Sequence, residues 1–238
     1  MFGSRSLGVV CALPREARCL RLLTQPDAAG SAIRVHARGL GYAAAASAAR
    51  DLLHEGAKAL LSWGYAGALD PSLQPGDIVV PACLIGPGSE CIVPDAGLVA
   101  AITHCVAAGT TINKLPIAHV DSVLATVQQK RDLFQVTGAA AVDMESLAVA
   151  HIARDAGVAM ASIRAIVDPA GFTLPLAALS AVDAKGRPRP LALLLSLLRH
   201  PHDCVALWRL QRLTVAADQA LCALAGGMCT QGHGGNAH

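Results

Sequence analysis

Aromatic residues are scarce in this chain, at 3% of 238, and charged residues make up only 15%. With no basic stripe interleaved with aromatics, and a formal net charge of only +2, nothing argues for a nucleic-acid partner. No run reaches the roughly 18 uninterrupted apolar residues that a membrane-spanning helix needs. Mean hydropathy is nevertheless high at +0.47, which leaves contact with a membrane surface open. Arg5 followed by Leu7–Leu13 has the outline of a short signal segment. Pro14-Arg15-Glu16 follows at once, however, and a buried first strand explains the run better. The eight cysteines include no CxxC pair and no histidine at ligand spacing, so free, reduced structural thiols in a cytoplasm are expected. His233 and His238 lack ligand spacing too, and neither a metal nor an organic cofactor is expected.

What the chain does have is apolar material: 53%, drawn from Ala, Val, Leu and Ile. That fills one sizeable α/β domain, and the length is too short for two ordinary ones. Strand candidates are Leu7–Leu13, Ala32–Arg38, Ala59–Trp63, Ile78–Ile85, Ile117–Val120, Ala139–Val142 and Met160–Val167. Several are continuously apolar, as in strands buried on both faces. Helix-period segments lie at Arg15–Leu23, Ala43–His54, Ala96–Ala108, Val123–Leu133, Glu145–Asp155 and about Asp203–Leu224. This alternation predicts helices covering a central sheet, with ligands at the carboxyl ends of the strands. The domain is expected over 1–225, with a greasy and basic segment at about 169–212 and a disordered tail at 226–238.

Acidic residues end several apolar runs: Glu16, the Asp143/Glu145 pair, and Asp168. One aspartate after a strand is ordinarily a turn or cap residue, but three acidic groups at one rim suit the cleavage of a glycosidic bond. That reaction passes through a cationic sugar and needs a proton at the leaving group, which a semi-buried carboxyl with raised pKa supplies.

Four stretches then carry a resemblance. Ser62-Trp63-Gly64-Tyr65-Ala66-Gly67-Ala68-Leu69, with Leu73-Gln74-Pro75-Gly76-Asp77-Ile78-Val79-Val80-Pro81, resembles the glycine-rich core of the purine nucleoside phosphorylase/methylthioadenosine nucleosidase superfamily. Ala141-Val142-Asp143-Met144-Glu145-Ser146 resembles its "EMEA" segment, and Ile163-Arg164-Ala165-Ile166-Val167-Asp168 its "RAISD" strand. Cys11-Ala12-Leu13-Pro14-Arg15-Glu16 resembles its N-terminal strand and glutamate. The resemblance implies a single α/β domain with a central mixed twisted sheet flanked by helices, commonly assembled as a homo-oligomer.

The resemblance also implies roles. Asp168 would protonate N7 of the departing purine. Glu145 would accept both ribose hydroxyls, and Met144 would pack on the sugar unless it is plain core. Val123 and Leu124, after Asp121-Ser122, are candidate base contacts. Gly39, Gly41, Gly64 and Gly67 would let backbone approach an anion or nucleophile. Asp143 stands where the family more often has glutamate. Trp63 and Tyr65 stand where it has small residues, and would narrow the pocket around the sugar. Arg164 reads as an ion-pair partner rather than a catalytic group.

Glu16 matches the glutamate that deprotonates water in the hydrolytic branch, though it also suits a helix start. Inorganic phosphate, the alternative co-substrate, would be repelled by an ionised Glu16 unless countered. Arg38, beside Gly39, and Arg15 are the candidates to counter it. Leu174–Leu179 and Leu191–Leu198 are either core or a lid for an apolar 5′-substituent, with Arg187, Arg189, Arg199, Arg209 and Arg212 facing anionic lipid. That block is similar to the hopanoid-associated nucleoside phosphorylase branch. It implies an adenosylhopane-like substrate and a cytoplasmic enzyme peripheral to the inner membrane face. A methylthioadenosine/adenosylhomocysteine nucleosidase, and a non-catalytic nucleoside or lipid carrier, are the competing readings.

Overall fold

The computed structural model describes residues 6–23, 33–104, 111–175, 177–178, 195–196 and 203–232. In chain order the strands are β1 (Leu7–Cys11), β2 (Ile33–Ala37), β3 (Ala59–Ala68), β4 (Ile78–Val79), β5 (Leu84–Ile85), β6 (Cys91–Ile92), β7 (Ile112–Asn113), β8 (Ile117–His119), β9 (Ala141–Asp143) and β10 (Ala159–Asp168). The helices are α1 (Tyr42–His54), α2 (Ala96–His104), α3 (Val127–Thr137), α4 (Ser146–Asp155) and α5 (Asp203–Gly232), with a 3-10 helix over Glu16–Leu23.

One mixed sheet holds all the described strands, and β3 is its branch point. Parallel β10 runs along one side of β3; on its other side the first half pairs with parallel β1 and Gly67–Ala68 pairs with antiparallel β9. The sheet therefore curls, and helices cover both faces.

Side-chain alternation along these central strands divides the core in two. Val10, Leu60, Ala66, Met160 and Ile166 face α1 and α4. Leu7, Val9, Leu61, Trp63, Ile163 and Ala165 face α5, the 3-10 helix and α2. Helices α1 and α4 pack against each other on the first face, where Ala45, Ala46, Ala48 and Ala49 lie fully buried in α1. Alanine at these positions permits close approach with little loss of side-chain entropy.

Differences from the sequence reading have local causes. The expected strand over Ile78–Ile85 is two short ones, β4 and β5, separated by Pro81, which has no N–H for a ladder. The helix expected from Val123 starts at Val127, because Thr126 and Gln129 form a reciprocal capping box and Gly138 closes the far end. β6 and β7 span two residues each, too short to show a period. Cys83 and Cys91 are joined in a disulfide across the β5–β6 hairpin, so the expectation of uniformly free thiols is corrected. Helix α5 runs on through Gly226–Gly232, where a disordered tail was expected. The rest of that tail, with His233 and His238, lies outside the described residues, as do Arg187, Arg189, Arg199 and most of Leu174–Leu198.

Candidate active site

The apolar alternation on the α1/α4 face gives way to polar and small residues toward the strand ends. In β3, Leu60 is followed on that face by Ser62 and Gly64; in β10, Met160 is followed by Ser162 and Arg164. Arg164 is 1% exposed, and its Nε donates to Asp143 Oδ2 at 2.6 Å and to Ser146 Oγ at 3.1 Å. Its Nη2 donates to Ser62 Oγ at 2.6 Å and stands 4.0 Å from Glu145 Oε2. Ser146 Oγ also bonds Asp143 Oδ2 and Ser162 Oγ. Burial alone pulls the guanidinium down, but Asp143, Glu145 and Glu16 together more than offset it, so Arg164 stays charged. The ion-pair role expected of Arg164 is thus central: one buried cation organises three carboxylates.

Glu16 is 4% exposed. Its Oε2 accepts the Ala12 and Leu13 amides at 2.8 Å each, and its Oε1 accepts the Tyr65 amide at 3.1 Å. The carboxyl thus pins the end of β1 to β3. Burial raises its pKa, and the amides and Arg164 oppose the rise. A Cβ on Gly64 would stand 2.5 Å from Glu16 Oε1 and 2.7 Å from Arg164 Nη1, so only glycine lets acid and cation meet across this strand.

Glu145 is the N-cap residue of α4, but its side chain bonds nothing in that helix; its Oε1 instead accepts the Gly41 amide at 2.8 Å. Burial, with Asp143 nearby, outweighs Arg164 and pushes it up to about 7. Met144, beside Glu145, places its Cε 3.8 Å from where a Gly41 Cβ would be.

Asp168 ends β10 after a bulge between Ile166 and Asp168, which re-aims it against Gly67. A Cβ on Gly67 would lie 3.2 Å from Asp168 Oδ1. The other oxygen, Oδ2, accepts from Lys130 Nζ at 2.5 Å. Burial raises the Asp168 pKa, against the opposing charge and hydrogen bond of Lys130. The sequence reading missed Lys130. Its signal was a lysine three and four residues before Leu133 and Phe134, which face the core.

Other candidates are placed elsewhere. Asp143 is spent on Arg164 and Ser146, its side chain 1% exposed. Trp63 and Tyr65 lie on the face of β3 opposite Ser62 and Gly64. Trp63 is buried in the α5-side core, and the Tyr65 phenol donates to Asp218 on α5. Arg15 is bound to the same Asp218, and Arg38 pairs with Asp51 at the surface. The Gly39 amide donates to Ala12 O at 2.9 Å and the Gly41 amide to Glu145. The expected phosphate donors Gly39, Gly41 and Arg38, and Arg15 with them, therefore all have partners already. Val123 is 44% exposed and Leu124 packs against the cluster of Leu69, Ala118, Ala139 and Val142.

A curled mixed sheet with this arrangement of strands is the fold of nucleoside phosphorylases and nucleosidases. The chain belongs to the Phosphorylase superfamily, whose family model matches residues 21–199. Among solved structures it is similar to a 5′-methylthioadenosine/S-adenosylhomocysteine nucleosidase from Neisseria meningitidis in complex with methylthio-immucillin-A, with TM-score 0.69 and 18% identity over 95% of this chain and 99% of that one. It is similar to the futalosine hydrolase of Helicobacter pylori, with TM-score 0.66 and 18% identity over 95% and 99%. The Helicobacter pylori methylthioadenosine/adenosylhomocysteine nucleosidase gives 0.67 and 17% over 96% and 97%. No curated protein matches the chain.

Proposed function

We propose that this protein cleaves the N-glycosidic bond of an adenosyl compound and releases adenine. The observation that carries the reading is the meeting of Glu16 and Arg164 at Gly64, with Glu145 4.0 Å from the same guanidinium and Asp168 of β10 against Gly67, the next glycine along β3. Asp168 protonates the purine as it leaves, and Glu145 receives the ribose diol. Glu16 takes the proton of the attacking water, and Arg164 stabilises its charge. Water is favoured over phosphate because the amides of Gly39 and Gly41 and the side chains of Arg15 and Arg38 are already engaged. A phosphate dianion would meet buried carboxylates at short range.

The substrate we favour carries an apolar 5′-substituent, as adenosylhopane does, and the enzyme works as a homo-oligomer touching the membrane that holds it. Exposed Val205, Trp208 and Val215 on α5, beside Arg209 and Arg212, support that contact. Likeness to nucleosidases along nearly the full chain favours a second reading, hydrolysis of a small soluble adenosyl thioether.

Free adenine, measured after incubation with adenosylhopane or methylthioadenosine and with or without phosphate, separates these readings. Adenine from the lipid nucleoside without phosphate is the expected result. Rapid methylthioadenosine turnover points to the small-substrate enzyme, and strict dependence on phosphate to phosphorolysis. No adenine from either compound leaves a carrier.

A further inference from the structure

Helix α3 is polar and largely exposed, and Lys130 is its buried residue, 1% exposed. A buried ammonium is costly unless every hydrogen finds an acceptor. Here all three do: Asp168 Oδ2 at 2.5 Å, Pro169 O at 2.9 Å and Phe172 O at 2.9 Å. Nearby, the Leu174 amide donates to Ala125 O at 2.8 Å, fastening the chain beyond this turn to the residue before the α3 cap. The turn after β10 is therefore strapped to the start of α3.

We propose that Lys130 is the positioning residue of the acid: its ammonium holds the Asp168 carboxyl and the Pro169–Phe172 turn in place, and governs the pH range over which that carboxyl keeps its proton. The inference rests on the acid role proposed above for Asp168. Lys130 has no hydrogen left for a base or a sugar, so it acts through Asp168 and does not touch substrate. Both carboxyl oxygens lie against Gly67, 3.2 and 3.3 Å from where its Cβ would be, and Oδ1, which Lys130 does not hold, is the one left to face a purine. Among the described groups, Gly67 of β3, against which the carboxyl lies, and the turn residues Pro169, Ala170, Gly171 and Phe172 do not titrate. Lys130 is the charge that acts on it.

The direction follows. A cation beside a carboxyl favours its ionised form, and a general acid stops working once ionised. Removing the cation leaves burial opposed only by a backbone hydrogen bond, so the acid persists to higher pH.

The test compares pH profiles of kcat/KM for wild type, Lys130→Met and Lys130→Arg on the adenosyl compound that wild type cleaves. The Met variant is expected to move the alkaline limb up by about 1–3 pH units, with its plateau lowered as the turn loosens. Arg should keep the wild-type limb. A Met limb that coincides with wild type, or moves down, overturns the proposal. If the Met variant does not fold, 15N-lysine NMR of the unmodified protein decides instead. The Lys130 ammonium signal should step with the Asp168 titration, assigned by its loss in Asp168→Asn, and a signal blind to that step overturns the pairing. Wild type that releases no adenine from any adenosyl compound defeats the proposed function instead, and the NMR titration still decides whether Lys130 governs Asp168.

Discussion

Glu145 shows how a functional demand leaves a mark on stability. Its carboxyl is held near 7 by burial, against an ordinary value of about 4.3 in an unfolded chain. The folded state therefore binds the proton more tightly than the unfolded one. The stability linked to this residue is full below about pH 4.3 and is lost as pH rises through about 7. Glu145→Gln keeps the Gly41 acceptor but cannot ionise. It should leave the melting temperature nearly unchanged at pH 4 and raise it at pH 8, by the equivalent of about 3–4 kcal/mol. Thermal melts at the two pH values check this; a variant less stable than wild type at pH 8 would show the charge to be stabilising. Substrate affinity should run the other way, because an ionised carboxylate accepts both ribose hydroxyls and a neutral one does not.

Much of this was legible at the residue scale. Glu16, Glu145 and Asp168 each stand at the end of an apolar run, and a strand delivers such residues to one rim; Arg164 instead interrupts an apolar strand, which marked it as an ion-pair partner. Lys130 was hidden because a lysine on a polar helix looks solvated until the partner helix or turn is known. The fates of Trp63 and Tyr65 depended on strand parity, and nothing in the sequence said which face of β3 carries the site.

At the scale of elements, the long α5 is tied to the site by one residue. Asp218 receives the Tyr65 phenol on one oxygen and Arg15 Nε, at 2.6 Å, on the other. Tyr65 and Arg15 flank the Glu16 carboxyl in space and in sequence, since the Tyr65 amide is one of its donors. Burial and Asp218 together raise the phenol's pKa far above its ordinary value, so it remains a donor at any physiological pH. Asp218→Ala leaves both donors without their acceptor, a loss of about 1–3 kcal/mol for the buried part, reduced by solvent where Arg15 is open. Faster amide exchange along α5 is the expected outcome, with a lower kcat/KM as the Glu16 turn loosens. Exchange unchanged from wild type would show that apolar packing alone docks the helix. Sequence showed that α5 exists but not where it lies, because the contact joins residues more than 150 positions apart.

For the molecule as a whole, the two cores have different roles. The α1/α4 side carries the buried polar cluster, and the α5 side is apolar inward while presenting an unusual outer surface. Val205, Trp208 and Val215 are 61%, 56% and 41% exposed at spacings of three and seven residues, which is one helix face. Arg212 lies over the Trp208 ring at 4.3 Å. Among the described residues no helix is long and apolar enough to cross a membrane; the contact at issue is one made by the outer face of α5. A tryptophan and arginines on one face suit an anionic bilayer, the aromatic entering the headgroup layer and the cations meeting phosphate. Only two tryptophans are present, and Trp63 is fully buried, so any change in emission on adding vesicles reports Trp208. Anionic phospholipid vesicles should shift that emission to the blue and sediment the protein. Both effects should weaken as salt rises and fall away in Trp208→Ala and in Arg212→Glu. If emission is unmoved by vesicles while Trp208→Ala breaks an oligomer in solution, the face is an interface between copies and the lipid contact is refuted.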